Sequence, residues 1–178
     1  MQKKVLLNAN QIDIIINRLV CQLIENHNDF TNTVLIGLQP RGIYLLEKLL
    51  NVISEKHLDK IVTSGNLDYT FFRDDFRRND KAIKVKPSNI EISIENKKVV
   101  LIDDVLFTGR SIRAAMSSID SYGRPESIEL MVLIDRRFKR ELPIQANYFG
   151  AKIDTIDGDK VNVVWGSNKD NNVVYIEK

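Results

Sequence analysis

Val99-Val100-Leu101-Ile102-Asp103-Asp104-Val105-Leu106-Phe107-Thr108-Gly109-Arg110-Ser111 is the stretch whose reading decides the fold. Its opening is a continuous apolar run, the pattern of a strand over 98–103 that is covered on both faces of a parallel sheet. The run ends in two adjacent carboxylates, Asp103 and Asp104. In open α/β sheets ligands gather beyond the carboxyl ends of the strands, so both sit where a site is expected. Neighbouring strand residues face opposite ways, so both reach one ligand only if the strand stops at 103 and turns. Paired carboxylates accept hydrogen bonds from sugar hydroxyls well and repel bare phosphate. Thr108-Gly109-Arg110-Ser111 then open a helix, whose free N–H groups and positive dipole end favour an anion. Gly109 lets the backbone approach closely, and Thr108 and Ser111 add hydroxyls. The segment reads as a sugar subsite beside a phosphate subsite.

A strand ending in aspartates also occurs in response-regulator receivers and as the metal-holding strand of nucleotide hydrolases. Neither carries a Thr-Gly-x-Ser turn a few residues on. The chain also has no Gly-x-x-x-x-Gly-Lys-Ser/Thr loop, which counts against a P-loop hydrolase.

Outward from this segment, strands alternate with helices. Val5-Leu6-Leu7 is a short strand, and Asn8 with Gln11 has the spacing of a reciprocal helix cap. Ile12, Ile15, Ile16, Leu19, Val20, Leu23 and Ile24 then recur on one helical face. Residues 33–38 form a buried strand and 41–53 a second helix, with Ile43, Leu46, Leu49, Leu50 and Ile53 inward. A strand is expected over 60–72. The stretch 73–89 is charged and poor in core residues, as in a solvated or mobile active-site loop. A third helix is expected over 109–122, with Ile112, Ala115, Met116 and Ile119 inward and Gly123 as its stop. A strand follows over 127–135. The last part holds short β signals at Tyr148-Phe149, 161–165 and 173–176. The sum is a single α/β domain over 1–178, a mainly parallel sheet flanked by helices, with a small β-rich C-terminal hood over about 147–178.

Composition sets bounds on partners and compartment. The 178 residues carry 26 basic and 24 acidic side chains, a net charge of +2, which leaves no chain-wide basic footprint for nucleic acid. The single cysteine, Cys21, excludes an internal disulfide and suits a reducing compartment. The two histidines, His27 and His57, exclude a His-rich metal site, and neither lies in a nucleophile motif. No leader or membrane-spanning run is visible, so a cytoplasmic location is expected.

The 99–111 segment resembles the phosphoribosyl pyrophosphate (PRPP) signature of type I phosphoribosyltransferases. Gly37-Leu38-Gln39-Pro40-Arg41-Gly42 resembles that family's pyrophosphate loop. The likeness runs along nearly the whole chain to one branch, the pyrimidine operon regulators, which are uracil phosphoribosyltransferases that also bind RNA. It is carried by Arg41-Gly42-Ile43-Tyr44-Leu45, Leu67-Asp68-Tyr69-Thr70-Phe71-Phe72-Arg73-Asp74-Asp75 and Arg113-Ala114-Ala115-Met116. Gly123-Arg124-Pro125, Ser127-Ile128, Leu133-Ile134-Asp135-Arg136 and Arg140-Glu141-Leu142-Pro143-Ile144 add to it.

The resemblance implies the type I phosphoribosyltransferase fold and a set of roles. Asp103 and Asp104 would hold the ribose hydroxyls, and Thr108, Gly109, Arg110 and Ser111 the 5′-phosphate. Pro40, Arg41 and Gly42 would meet the pyrophosphate, with Mg²⁺ carried mainly by PRPP and no direct protein ligand. Arg73 would close over the leaving group, and the base would lie under the hood near Ile156, Asp157 and Gly158. The implied reaction converts uracil to UMP, in a homo-oligomer of two or more chains. A purine phosphoribosyltransferase and an RNA-binding attenuation regulator are the alternatives, since the PRPP motif alone does not fix the base.

RNA recognition is expected to be lost. Where the regulators have Thr, His, Arg, Arg and Lys, this chain has Asn17, Cys21, Asn26, Gln145 and Ala151. The run from Asp135 to Pro143 is one residue longer and lacks a histidine, although Arg18 is kept. Asp135-Arg136 reads equally as an ion pair or a site contact, and Trp165 as hood core rather than a stacking platform.

Overall fold

The computed structural model describes residues 3–74, 88–90, 93–156, 158–166 and 171–177. The first strand, β1 (Lys3–Leu7), runs into Asn8, which caps the first helix, α1 (Ala9–His27). The Asn8 side chain accepts from the Gln11 amide at 3.0 Å and the Gln11 side chain accepts from the Asn8 amide at 2.9 Å. This closes the reciprocal cap that the spacing predicts. Ile12, Ile16, Leu19, Val20 and Leu23 are buried along one face of α1.

The remaining elements are β2 (Thr33–Leu38), α2 (Gly42–Lys56), β3 (Thr63–Leu67), β4 (Lys98–Leu106), α3 (Arg110–Ile119), β5 (Ser127–Arg136), β6 (Tyr148–Ile153), β7 (Lys160–Val164) and β8 (Val173–Glu177). Five of the strands form a parallel sheet in the order β3-β2-β4-β5-β6. Strand β4 lies at its centre, which is why its apolar run has no polar face. Val100 and Ile102 pack with α1 and α2 on one side, and Val99 and Leu101 with α3 on the other.

Several boundaries differ from the sequence reading, each for a local reason. The strand expected over 60–72 is only β3, because the Asp68 side chain accepts from the Thr70 amide at 2.8 Å. That turn leads into a short 3-10 helix, Thr70–Phe72. In α2 the buried stripe is Leu45, Leu46, Leu49, Val52 and Ile53, while Ile43 and Leu50 lie at its margin. Helix α3 ends at Ile119, short of Tyr122, and Met116 is 42% exposed beside Leu142 and Pro143 rather than inward. Strand β4 runs on to Leu106 instead of stopping at 103.

The hood is also built differently. Tyr148-Phe149, grouped with the hood by sequence, opens β6, which pairs in parallel with β5 from Met131↔Tyr148 to Arg136↔Ile153. The smaller sheet is antiparallel, in the order β1-β8-β7, so the N-terminal strand supplies one of its edges. Val161, Val163, Val174 and Ile176 join it to the core over α1 and α2. The charged stretch 73–89 lies mostly outside the described residues. At its ends Arg73 and Asp74 are exposed, and Asn89 bridges Asn66 through backbone bonds of 2.9 and 3.0 Å. Among the described residues no helix is long and apolar enough to cross a membrane.

Candidate active site

Strand β4 pairs with β2 only as far as Ile102, while its ladder with β5 continues to Leu106. The last residues of β4 therefore project beyond β2 at the carboxyl edge of the sheet. Continuing the alternation, Asp103 faces the α3 side and Asp104 the α2 side. The contacts agree. Asp103 lines a cavity of about 110 Å³ with Thr108, Gly109 and Ser111 at the start of α3. The Asp104 carboxylate meets the Arg41 guanidinium at 3.5 Å, at the start of α2. The expected strand stop at 103 is thus corrected, yet the two carboxyl groups still meet each other side chain to side chain, and a ligand touching both lies across the end of β4.

Both aspartates are buried, at 8% and 5% exposure. Burial, then the neighbouring Asp104 charge, holds the Asp103 carboxyl well above the usual carboxylate range. Its Oδ1 accepts from the Asp104 amide at 2.9 Å, which offsets part of that cost. Burial also raises Asp104, against the opposing pull of Arg41. Two buried carboxyl groups side by side, with one half-exposed arginine reaching only Asp104, make a site short of positive charge.

The two helix starts are shaped by glycines. Gly42 begins α2 directly against β4: a Cβ placed there would lie 2.1 Å from the Ile102 carbonyl oxygen. Gly109 caps α3 with φ +92, in the left-handed region that glycine enters freely. The Thr108 hydroxyl accepts from the Arg110 amide at 3.3 Å, and the Thr108 carbonyl accepts from the amides of Glu141 and Leu142. The loop after β5 is thereby hung on the turn before α3.

Several residues that sequence reasoning passed over frame the site. Tyr69 is buried and its hydroxyl hydrogen-bonds the Ser111 side chain; burial and the Asp103 charge push its pKa up to about 12. Asp135 and Arg136, left open by sequence, do not pair with each other. Asp135 accepts from Arg140, which also donates to the Phe107 carbonyl. Arg136 stacks over the Phe107 ring at 3.8 Å and donates to the Thr155 hydroxyl and the Asp159 carbonyl. Ile156 is 68% exposed and Gly158 has φ +91 beside it, while Asp157 lies outside the described residues. Trp165 packs on the core over α1 and α2 and borders a cavity of about 360 Å³ with Pro40, Arg41, Tyr44 and Val163. Its indole N–H is buried with no partner among the described residues. Tyr69 and Phe107 lie inside motif runs, but no spacing or residue type marks their side chains as site contacts.

The side chain of Arg110 is engaged elsewhere than the turn it belongs to. Its Nε donates to Glu141 at 2.5 Å and its Nη1 to Asp74 at 2.5 Å, and Arg113 reaches the same Asp74 oxygen at 3.1 Å. Arg73, one residue earlier, is exposed at the root of the 73–89 stretch.

The profile described as "Phosphoribosyl transferase domain" matches residues 3–168. The chain is 40% identical over 178 residues to "Bifunctional protein PyrR" of Bacillus subtilis (strain 168), covering 98% of this chain and 97% of that protein. To the protein of the same description in Desulfosudis oleivorans it is 36% identical over 170 residues, covering 96% and 93%. Among solved structures it resembles a hypoxanthine phosphoribosyltransferase from Staphylococcus aureus, with TM-score 0.64 and 25% identity over 84% of this chain and 77% of that one. The hypoxanthine phosphoribosyltransferase of Trypanosoma cruzi superposes with TM-score 0.69 at 16% identity, over 97% and 95%, a likeness of fold. With the sheet, the helix starts and the paired aspartates in place, the chain belongs to the phosphoribosyltransferase family, in its type I fold, and is similar over nearly its whole length to bifunctional PyrR proteins.

Proposed function

We propose that this chain transfers the ribose 5-phosphate of PRPP to uracil, releasing pyrophosphate and forming UMP. The observation that carries the reading is the buried pair Asp103 and Asp104 at the end of β4, one beside the start of α3 and the other beside the start of α2. A ribose lying across the strand end meets both carboxylates with its hydroxyls. Its 5′-phosphate takes the backbone N–H groups and hydroxyls of Thr108-Gly109-Arg110-Ser111, and its pyrophosphate faces Pro40, Arg41 and Gly42. Arg73 covers the leaving group, and the base lies under the hood near Ile156, Asp157 and Gly158.

The chemistry asks little covalent work of the protein. The bond from C1′ to the pyrophosphate oxygen breaks as positive charge grows on the ribose, and the base nitrogen closes on C1′. Buried carboxylates beside that carbon stabilise the growing charge, and Arg41 faces the departing one. Binding both partners in line and excluding water supply the rest of the acceleration. Among the described residues no group of three or more His, Cys, Asp or Glu forms a metal cage. The adjacent acidic pair still fits Mg²⁺, which keeps few protein ligands and rides on substrate phosphates. When bound there, the ion supplies neutralising charge to the pyrophosphate.

The test is a panel of free bases assayed with PRPP and Mg²⁺. Uracil is expected to turn over faster than guanine, hypoxanthine or adenine by about 10²-fold or more, the discrimination of a site with fixed polar partners. Preferential turnover of a purine would make this a purine phosphoribosyltransferase instead.

A second reading, the RNA-binding regulator, is favoured by the similarity to bifunctional PyrR proteins. The surface of α1 beside β6 argues against it. Arg18 donates to the carbonyls of Phe149 and Gly150 at 3.0 and 2.5 Å, and Asn26 to the Tyr148 hydroxyl at 3.0 Å. With neutral Asn26, Gln145 and Ala151 in place of three cations, and Asn17 and Cys21 in place of two other polar side chains, contacts to phosphates, which dominate affinity for RNA, are lost faster than Arg137, Lys139 and Arg140 restore them. Filter binding at physiological salt with UMP present is expected to show equal, weak retention of a pyrimidine-operon hairpin and its scrambled control. Tight retention of the true hairpin alone would restore the regulator.

A further inference from the structure

We propose that Arg110 is a positioning residue, not a ligand of the 5′-phosphate: its guanidinium braces the phosphate turn against two neighbouring loops and so sets the placement of Arg73. The proposal rests on reading residues 108–111 as the 5′-phosphate subsite. Arg110 is the first residue of α3, and its side chain uses two separate edges. Nε holds Glu141, from the loop after β5, and Nη1 holds Asp74, from the exit of the 3-10 turn that follows β3. A planar fork suits two carboxylates at once, which a lysine does not.

Three further contacts turn these pairs into a frame. The Glu141 amide donates to the Thr108 carbonyl at 3.0 Å, so the loop after β5 is fixed on both sides of Gly109. Arg113, one turn along α3, joins Asp74 at 3.1 Å. Tyr69, buried near the start of the Asp74 segment, hydrogen-bonds Ser111. An isolated exposed ion pair contributes little, but four charges on three segments restrict one another. The segment bearing Arg73 and Asp74 is thus tied to the phosphate turn from two sides.

The same geometry disfavours direct phosphate binding by the Arg110 head. A dianionic phosphate there would sit against Asp74 and Glu141, displacing both or being repelled by them. The helix start offers it backbone N–H groups without that conflict. Because Asp74 follows Arg73 in the chain, loss of the brace lets Arg73 drift from the leaving group. A misplacement of about 1 Å in a catalytic contact can cost about 10²-fold in rate, and a loosened one less.

The experiment compares Arg110→Gln, Glu141→Gln and Asp74→Asn with the parent. It reads kcat and KM for PRPP with whichever base the parent converts, and the Kd of ribose 5-phosphate by calorimetry. Each single variant is expected to lose about tenfold in kcat while ribose 5-phosphate binding stays within about twofold. Arg110→Gln combined with Glu141→Gln is expected to be no slower than Arg110→Gln alone, since they remove one unit. If Arg110→Gln alone abolishes ribose 5-phosphate binding while the two carboxylate variants keep it, Arg110 is a direct ligand and the proposal is wrong. Unchanged kcat in all three variants, or fully additive losses in the double variant, overturn it as well. A parent that binds no ribose 5-phosphate removes the subsite reading and the proposal together. A parent that prefers a purine defeats only the uracil assignment and leaves the brace measurable.

Discussion

The double variant Asp103→Asn/Asp104→Asn is expected to fold, to resist heat better than the parent at neutral pH, and to lose PRPP-dependent nucleotide synthesis by about 10³-fold or more. The loss follows from the proposed chemistry, because an amide neither carries the charge that faces the ribose nor accepts two hydroxyls as a carboxylate does. The gain in stability follows from the burial of both groups. Their folded-state pKa values are raised, so the folded state binds these protons more tightly than the unfolded chain does. Stability from that binding is present below the ordinary carboxylate pKa and is lost as pH rises through the raised folded values. The amides avoid this loss, so their advantage grows as pH rises above the ordinary carboxylate range and disappears in acid. Each kcal/mol relieved raises Tm by about 2–4 °C in a chain of this size. Thermal melts across pH, beside the PRPP assay, check both halves. A fully active folded double variant would remove the site assignment, and an unchanged melting profile would remove the electrostatic account.

Gly42→Ala is expected to lower both Tm and activity, although it adds a single methyl group. The new Cβ would lie 2.1 Å from the Ile102 carbonyl oxygen and 3.0 Å from the Asp103 Cα, all rigid backbone. Either α2 lifts off β4 or the end of β4 bends, at a cost of about 1–3 kcal/mol for such overpacking. Both movements separate Arg41 from Asp104, whose contact is already 3.5 Å long. A shift of about 1 Å between positioned groups is enough for a loss of about 10²-fold in kcat/KM. Melting temperature and kcat/KM for PRPP check this. A variant equal to the parent in both would show that α2 and β4 have room that the close approach denies.

Features whose whole signal lies in one short segment are legible in the sequence. The apolar run into Asp103 and Asp104, the Thr-Gly-x-Ser turn and the Asn8–Gln11 cap are local patterns, and the fold keeps each of them. Features that depend on neighbours distant in the chain are not legible in this way. Tyr148-Phe149 has the same β signal in either sheet, and only pairing with β5 assigns it to the larger one. Met116 fits the helical stripe by spacing, yet it lies out beside Leu142 and Pro143 rather than under the sheet. Arg110 sits in the phosphate turn by motif, while its side chain is drawn out by Asp74 and Glu141, 36 and 31 residues away.

Sequence alone was enough for the family, through the likeness of its motifs, and for the parallel α/β core, through periodicity and turn chemistry. Tertiary structure alone decided which face each aspartate takes and which helix start it meets. It also decided that β1 closes the hood by pairing with β8 at the opposite end of the chain. The physical reason is range. Backbone preference and amphipathic pattern act over a few residues, whereas pairing partners, burial and the raised pKa values of Asp103 and Asp104 arise only when segments far apart in the chain exclude water together.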